Sequence, residues 1–228
     1  MMQRVLALIL AMILAACGPP IPEVPEAEFA ASDAHFLIGS ERVILPFVAV
    51  RGASGPKPYR NDAFHEKDGD DESRTKRMRE AAGNPHSPMP IGMLEVSIRH
   101  YAGEMFRVEE LCPLLRRQWA KALCRGERVG IIAELPQRFY LVGLRYLSQL
   151  EMGDQIAATG KPPVGSPKLV CDRKSEFCKA AVAVSPDMLA VWTVWSNGRE
   201  GVEQMAERQG SAISKFVRDE LGKQEVSD

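Results

Sequence analysis

Neither sign of charge dominates this chain: 29 lysines and arginines face 30 aspartates and glutamates over 228 residues. Binding to a phosphate backbone needs a basic excess, so the composition gives no reason to expect a nucleic-acid partner. The apolar run Val5–Ala16 is twelve residues long, short of the roughly 20 that cross a bilayer as a helix. There is no G-x-S-x-G elbow, no H-E-x-x-H pair and no glycine loop for phosphate. The commonest serine-hydrolase, zinc-protease and nucleotide-binding signatures are therefore missing. With 45% hydrophobic and 26% charged residues, the chain is not collagen-like, not a coiled coil and not disordered throughout. Nothing in it calls for a cofactor.

What is present begins at the amino terminus. Met1-Met2-Gln3-Arg4 carries one positive charge, Val5–Ala16 follows without a polar side chain, and Cys17 ends the run. That is the layout of a secretory signal. Leu14-Ala15-Ala16-Cys17 resembles the lipobox of bacterial lipoproteins, a resemblance confined to residues 1–17. It implies removal of residues 1–16, acylation of Cys17 and attachment to a bilayer by two or three acyl chains. Each buried CH₂ contributes about 0.8 kcal/mol, so several chains hold a protein that one would release. Gly18, rather than Asp, follows the cysteine, and by the same resemblance this favours the outer over the inner membrane. The alternative is an ordinary signal peptide cut elsewhere, with Cys17 left as a free thiol.

Residues 17–34 read as a tether, because Gly18–Pro25 holds four prolines in eight residues and such a segment is extended and semi-rigid. A single α+β domain is expected over 35–223, followed by a disordered tail at 224–228. Phe36–Ile38 and Val43–Val50 read as strands around a Gly39-Ser40-Glu41 turn, with Pro46 marking an edge or a bulge. Residues 51–90, polar and rich in Gly and Pro, read as a flexible loop, with room for a short helix near Ser73–Ala82. Met93–Arg99 alternates, placing Leu94, Val96 and Ile98 on the core side. Pro113–Leu123 reads as a helix, and Val129–Ala133 and Arg138–Val142 as two more strands. Ala180–Val184 and Met188–Trp195 flank Ser185-Pro186-Asp187, a turn signal. Apolar residues on both faces of the second strand place it inside a sheet. Val202, Met205, Ala206, Ile213, Phe216, Val217 and Leu221 recur at helical spacing, with Asn197 and Glu200 as a candidate cap and Gly222 as the stop. The fold expected is a mainly antiparallel sheet with this amphipathic helix packed on it and a shorter second helix.

Cys112, Cys124, Cys171 and Cys178 remain after Cys17, and an even count in an exported protein reads as two disulfides. Cys171 and Cys178 bracket a hairpin-sized loop. Cys112 and Cys124 would be about 18 Å apart along a continuous helix, whereas a disulfide needs Cα atoms roughly 4.4–6.8 Å apart. Local pairing therefore requires that helix to begin late, near Leu115, with Cys112 folded back; crossed pairing is the rival. Zinc is disfavoured, since the C-x₂-C spacing is absent.

Candidate sites for chemistry are sparse. Of His35, His65, His86 and His100, the last follows a strand beside Tyr101 and near Glu104, and reads as a surface residue sooner than a base. Asp68, Asp70, Asp71 and Glu72 could offer carboxylates to a hard cation, although Lys67, Arg74 and Lys76 neutralise them. Arg116, Arg117 and Lys121 read as a solvent face of the middle helix sooner than as a phosphate or lipid-headgroup site. The reading that results is a lipid-anchored periplasmic protein, a non-enzymatic binding module with a protein partner in the envelope, of accessory or immunity type. An envelope hydrolase acting on wall or lipid, and an ion- or small-ligand-binding lipoprotein, are the alternatives.

Overall fold

A strand that meets proline loses its next ladder donor, and the run Val43–Val50 breaks at that point. In the computed structural model, which describes residues 26–54, 80–101, 106–150, 152–158, 166–171, 177–195 and 200–222, β1 (Asp33–Ile38) and β2 (Glu41–Pro46) form an antiparallel hairpin. One 3-10 turn, Phe47–Ala49, then carries the chain into β3 (Val50–Ser54). β2 stays with a three-stranded sheet in the order β2-β1-β4, where β4 (Met89–Ile91) runs parallel to β1. β3 opens a second sheet of six antiparallel strands, β3-β5-β6-β9-β8-β7. Its other members are β5 (Met93–Ser97), β6 (Arg138–Gly143), β7 (Lys168–Cys171), β8 (Phe177–Ala183) and β9 (Met188–Trp195). Pro46 thus closes an edge strand, as expected of it.

The helices are α1 (Glu26–Ala31), α2 (Val108–Leu111), α3 (Gln118–Cys124), α4 (Ile131–Glu134), α5 (Gly153–Ala158) and α6 (Val202–Phe216), the last prolonged by a π turn, Val217–Leu221. One face of the large sheet presents Leu94, Val96, Phe139, Leu141, Ala190 and Trp192 to the main core. The apolar stripe of α6, with Met205, Ala206, Ile213 and Phe216, lies in that core. On the opposite face Val142, Ala181, Leu189 and Val191 pack under Leu147 and Ile156, which belong to the 3-10 segment Leu144–Gln149 and to α5. β9 lies between β6 and β8 and is apolar on both faces for this reason.

The chain is α+β, with two disulfides, Cys112–Cys124 and Cys171–Cys178. Five expectations need correction. The end of the expected tether, 26–34, is α1 and the start of β1, with Ala30, Ala31 and Ala34 buried in the core. The ends of the 51–90 loop are β3 and β4, with a helical turn at 80–82 that buries Ala82. The middle helix starts at Gln118 rather than Pro113, because Cys112 folds back to lie 5.6 Å from Cys124, Cα to Cα. Val129–Ala133 is no strand: Gly130 turns the chain at φ +56 into α4, and the Arg128 guanidinium donates to the carbonyls of Ile132 and Leu135. α6 starts after Gly201, which sits at the N-cap position with no side-chain hydrogen bond to the helix end, while Glu200 pairs with Arg208 at 2.7 Å; Asn197 lies outside the described residues.

Candidate functional site

The six-stranded sheet forks at one end. β5 and β6 pair down to Ser97 and Arg138, and β8 and β9 pair to Phe177 and Trp195, but the β6–β9 ladder stops at Tyr140 and Val191. Local chemistry holds β6 to β5 here. The Gln137 carbonyl accepts from the Ile98 amide, and Pro136 before it has no N–H to give. A cleft of about 650 Å³ occupies the fork, walled by residues 133–138, by Trp192, Thr193 and Trp195 of β9 and by Met205, Arg208 and Gln209 of α6.

Cross-strand pairs line one face of the fork. Phe177 and Trp195 are opposite each other with ring centroids 5.1 Å apart. The Lys179 ammonium donates to Thr193 Oγ1 at 2.9 Å and sits 5.7 Å from the Phe177 ring centre. Glu95 faces Tyr140 and lies 3.7 Å from Arg51; burial first, then the Glu95 charge and hydrogen bond, push the Tyr140 hydroxyl up from its ordinary value. On the helix side, Trp192 donates its indole N–H to Gln209 Oε1 at 2.8 Å. Arg208 bridges Glu134 and Glu200, and its hydrogen bond first of all holds Glu200 below the usual carboxylate range. Among the described residues, the two carboxylates that line the cleft, Glu95 and Glu134, are thus tied to cations. Trp195, at 58% exposure, is the most open large ring at its mouth.

The sequence singled out none of these residues as functional. The ones it did single out lie elsewhere. Cys17, His65 and the carboxylates Asp68, Asp70, Asp71 and Glu72 are outside the described residues. His86 and His100 are exposed and do not line the cleft. Arg116 is exposed as expected, and Lys121 half-buried, but Arg117 is a correction: it is 4% exposed, donates to the Glu220 carbonyl at 2.6 Å and to Asp33 Oδ1 at 3.4 Å. The four cysteines of the domain are all in disulfides.

His35 is buried on β1 in the same neighbourhood. Burial first lowers its pKa from 6.5, with Arg117 and Arg42 acting in the same sense and Asp33 against them. A depressed imidazole pKa means that the folded protein binds fewer protons than the unfolded chain, so stability is full above about pH 6.5 and is lost as the pH falls below it. Urea unfolding at pH 7.5 and pH 5.5 is expected to give a lower midpoint at pH 5.5, and His35→Gln should reduce that difference; an equal difference in the variant would assign the acid sensitivity to other groups.

A second cavity, of about 430 Å³, lies at the opposite end of the molecule, between the β1–β2 turn, Leu144–Tyr146 and Asp187. The Tyr146 ring lies so close over Gly92 that a Cβ there would stand 2.5 Å from it. No helix among the described residues is long and apolar enough to cross a membrane. Compared with known proteins, the chain matches no family model, no curated protein and no solved structure.

Proposed function

We propose that this chain is a lipoprotein of the bacterial envelope, anchored through Cys17 on the periplasmic side, that works by binding a partner rather than by chemistry. The forked-sheet cleft carries the reading. Among the described residues its two carboxylates, Glu95 and Glu134, are committed to ion pairs, and what it offers outward is the Trp195 ring beside an interrupted ladder. Large amphipathic rings in such positions supply much of the energy of protein–protein contacts. Support for export comes from the apolar leader with its Leu-Ala-Ala-Cys ending and from two cysteine pairs in bonding geometry, since disulfides persist in oxidising compartments. The role that fits is an accessory subunit or an immunity-type protein held at the membrane.

Two measurements test this. Grown with labelled palmitate, the unaltered protein is expected to take the label and sediment with membranes, and Cys17→Ser to lose the label. Unlabelled wild-type protein in the soluble fraction would end the anchored reading. Immobilised Cys17→Ser protein should then retain an envelope protein that the additional change Trp195→Ala releases; retention that ignores Trp195 would move the contact away from the cleft.

A further inference from the structure

We infer that the cleft takes an extended segment of another polypeptide, which adds to β9 as a strand at the fork. This rests on the binding-module reading and names the kind of partner.

Successive residues of an antiparallel strand turn their backbone N–H and C=O groups to alternate neighbours, and independent observations fix the phase in β9. Cys171 and Cys178 are opposite each other with Cα atoms 4.1 Å apart, the short spacing of a pair without ladder bonds. The backbone groups of Cys178 therefore face β9, and those of its partner Val194 face β8. Met188 agrees, because its carbonyl accepts from the amides of Val184 and Ser185 at the β8 end. Asp187 has the other phase, its carbonyl accepting from Leu144 just beyond β6. Leu189, Val191, Thr193 and Trp195 thus face β6. Val191 meets Tyr140 there. Thr193 and Trp195 lie beyond the end of the β6–β9 ladder, and among the described residues no strand pairs with them on that side.

The wall of the cleft accordingly presents two N–H and two C=O groups at a two-residue repeat, about 6.8 Å. Another extended backbone matches that repeat of donor and acceptor, which is the basis of strand addition. An open edge is a template for pairing, and here it lies inside the sheet, so an entering segment meets a second wall at residues 135–138. Its side chains would alternate between Tyr140, Thr193 and Trp195 on one side and Met205 and Gln209 on the other. Among the described residues of the lining, Arg138, Lys179 and Arg208 outnumber Glu95 and Glu134, which favours a segment carrying an acidic residue.

The test uses the full chain as Cys17→Ser, with a phage-displayed library of random twelve-residue peptides and an oligosaccharide panel as probes. Selected peptides are expected to slow hydrogen exchange at the Thr193 and Trp195 amides. Trp195→Ala and Trp195→Pro both lose the ring, but only the second loses the cleft-facing N–H, and neither touches a bond to β8. The proline variant should bind about tenfold more weakly than the alanine variant, a difference of about 1.4 kcal/mol. Should Trp195→Pro fail to fold, the exchange measurement on the Cys17→Ser protein decides alone. Equal binding by the two variants, protection confined to other amides, or binding by saccharides with no peptide selected would overturn the proposal. So would slow exchange at Thr193 and Trp195 in the free protein, which would mean that the chain covers its own edge. Failure of strand addition with an envelope partner still retained in a Trp195-dependent way would leave the binding-module reading standing; loss of both would remove it.

Discussion

Arg117→Met is expected to destabilise the protein by about 3 kcal/mol, the lower end of the cost of breaking a buried ion pair, and to lower the melting temperature by about 9 °C for a chain of this size. The guanidinium joins three parts of the chain distant in sequence: Asp33 at the start of β1, the turn entering α3, and the Glu220 carbonyl in the π turn after α6. Methionine keeps much of the alkyl volume but leaves a half-buried carboxylate and a carbonyl without their donor. Arg117→Lys recovers little, since an ammonium cannot reproduce the fork that serves two acceptors at once. Arg116→Met, one residue earlier and exposed, is the control and should stay within about 0.5 kcal/mol. Thermal melts of the three variants decide the matter. If Arg117→Met melts with the Arg116→Met control, the clasp contributes nothing.

Arg117 also illustrates where local reading stops. Side by side, Arg116 and Arg117 look alike in the sequence, and both fit a solvent face. The difference between them is made by Asp33 and by Glu220, 84 and 103 residues away, and no periodicity carries that information. The β8–β9 hairpin was legible for the opposite reason. Its alternation, its Ser-Pro-Asp turn and its two apolar faces are all local, and a strand buried on both sides cannot look otherwise. The stripe of α6 was legible in the same way. Its cap was not, because the helix starts only at Val202, after Gly201, and Glu200, ahead of the first turn, pairs with Arg208.

Short elements defeated pattern reading for a further reason. Val129–Ala133 is as β-rich as a strand, and one glycine with φ +56 and one arginine binding two carbonyls suffice to wind it into α4. The late start of α3, by contrast, followed from distance alone once local pairing of Cys112 with Cys124 was assumed. The cleft was invisible. Glu95, Tyr140, Lys179, Thr193 and Trp195 read as ordinary strand residues, and what makes them a site is the place where the β6–β9 ladder ends. Register between strands far apart in sequence is set by the whole assembly, so the residues that line its interruption carry no mark of their own.

Phe216→Ala should cost more than any other single truncation argued above, about 4 kcal/mol, or about 12 °C in melting temperature. The ring is fully buried and meets Trp119 of α3 edge-on at 5.0 Å and Phe139 of β6 edge-on at 6.4 Å. One side chain thereby locks α6, α3 and the sheet together, and each edge-to-face contact adds about 0.5–1.5 kcal/mol to its burial. Phe216→Leu keeps most of the volume and should lose less than half as much. Near-ultraviolet circular dichroism adds a second reading, because Trp119 loses its fixed partner in the alanine variant. The contrast with Trp195 separates fold from function: Trp195 is mostly exposed and keeps a cross-strand contact with Phe177, so Trp195→Ala should cost about 1 kcal/mol, far less than Phe216→Ala, while releasing the partner. Phe216→Ala should do the reverse at low temperature, where the variant is still folded and α6 still walls the cleft through Met205, Arg208 and Gln209. A Phe216→Ala protein that is folded yet retains no partner would show that the cleft depends on the far end of α6, and that its walls are not fixed by the sheet alone.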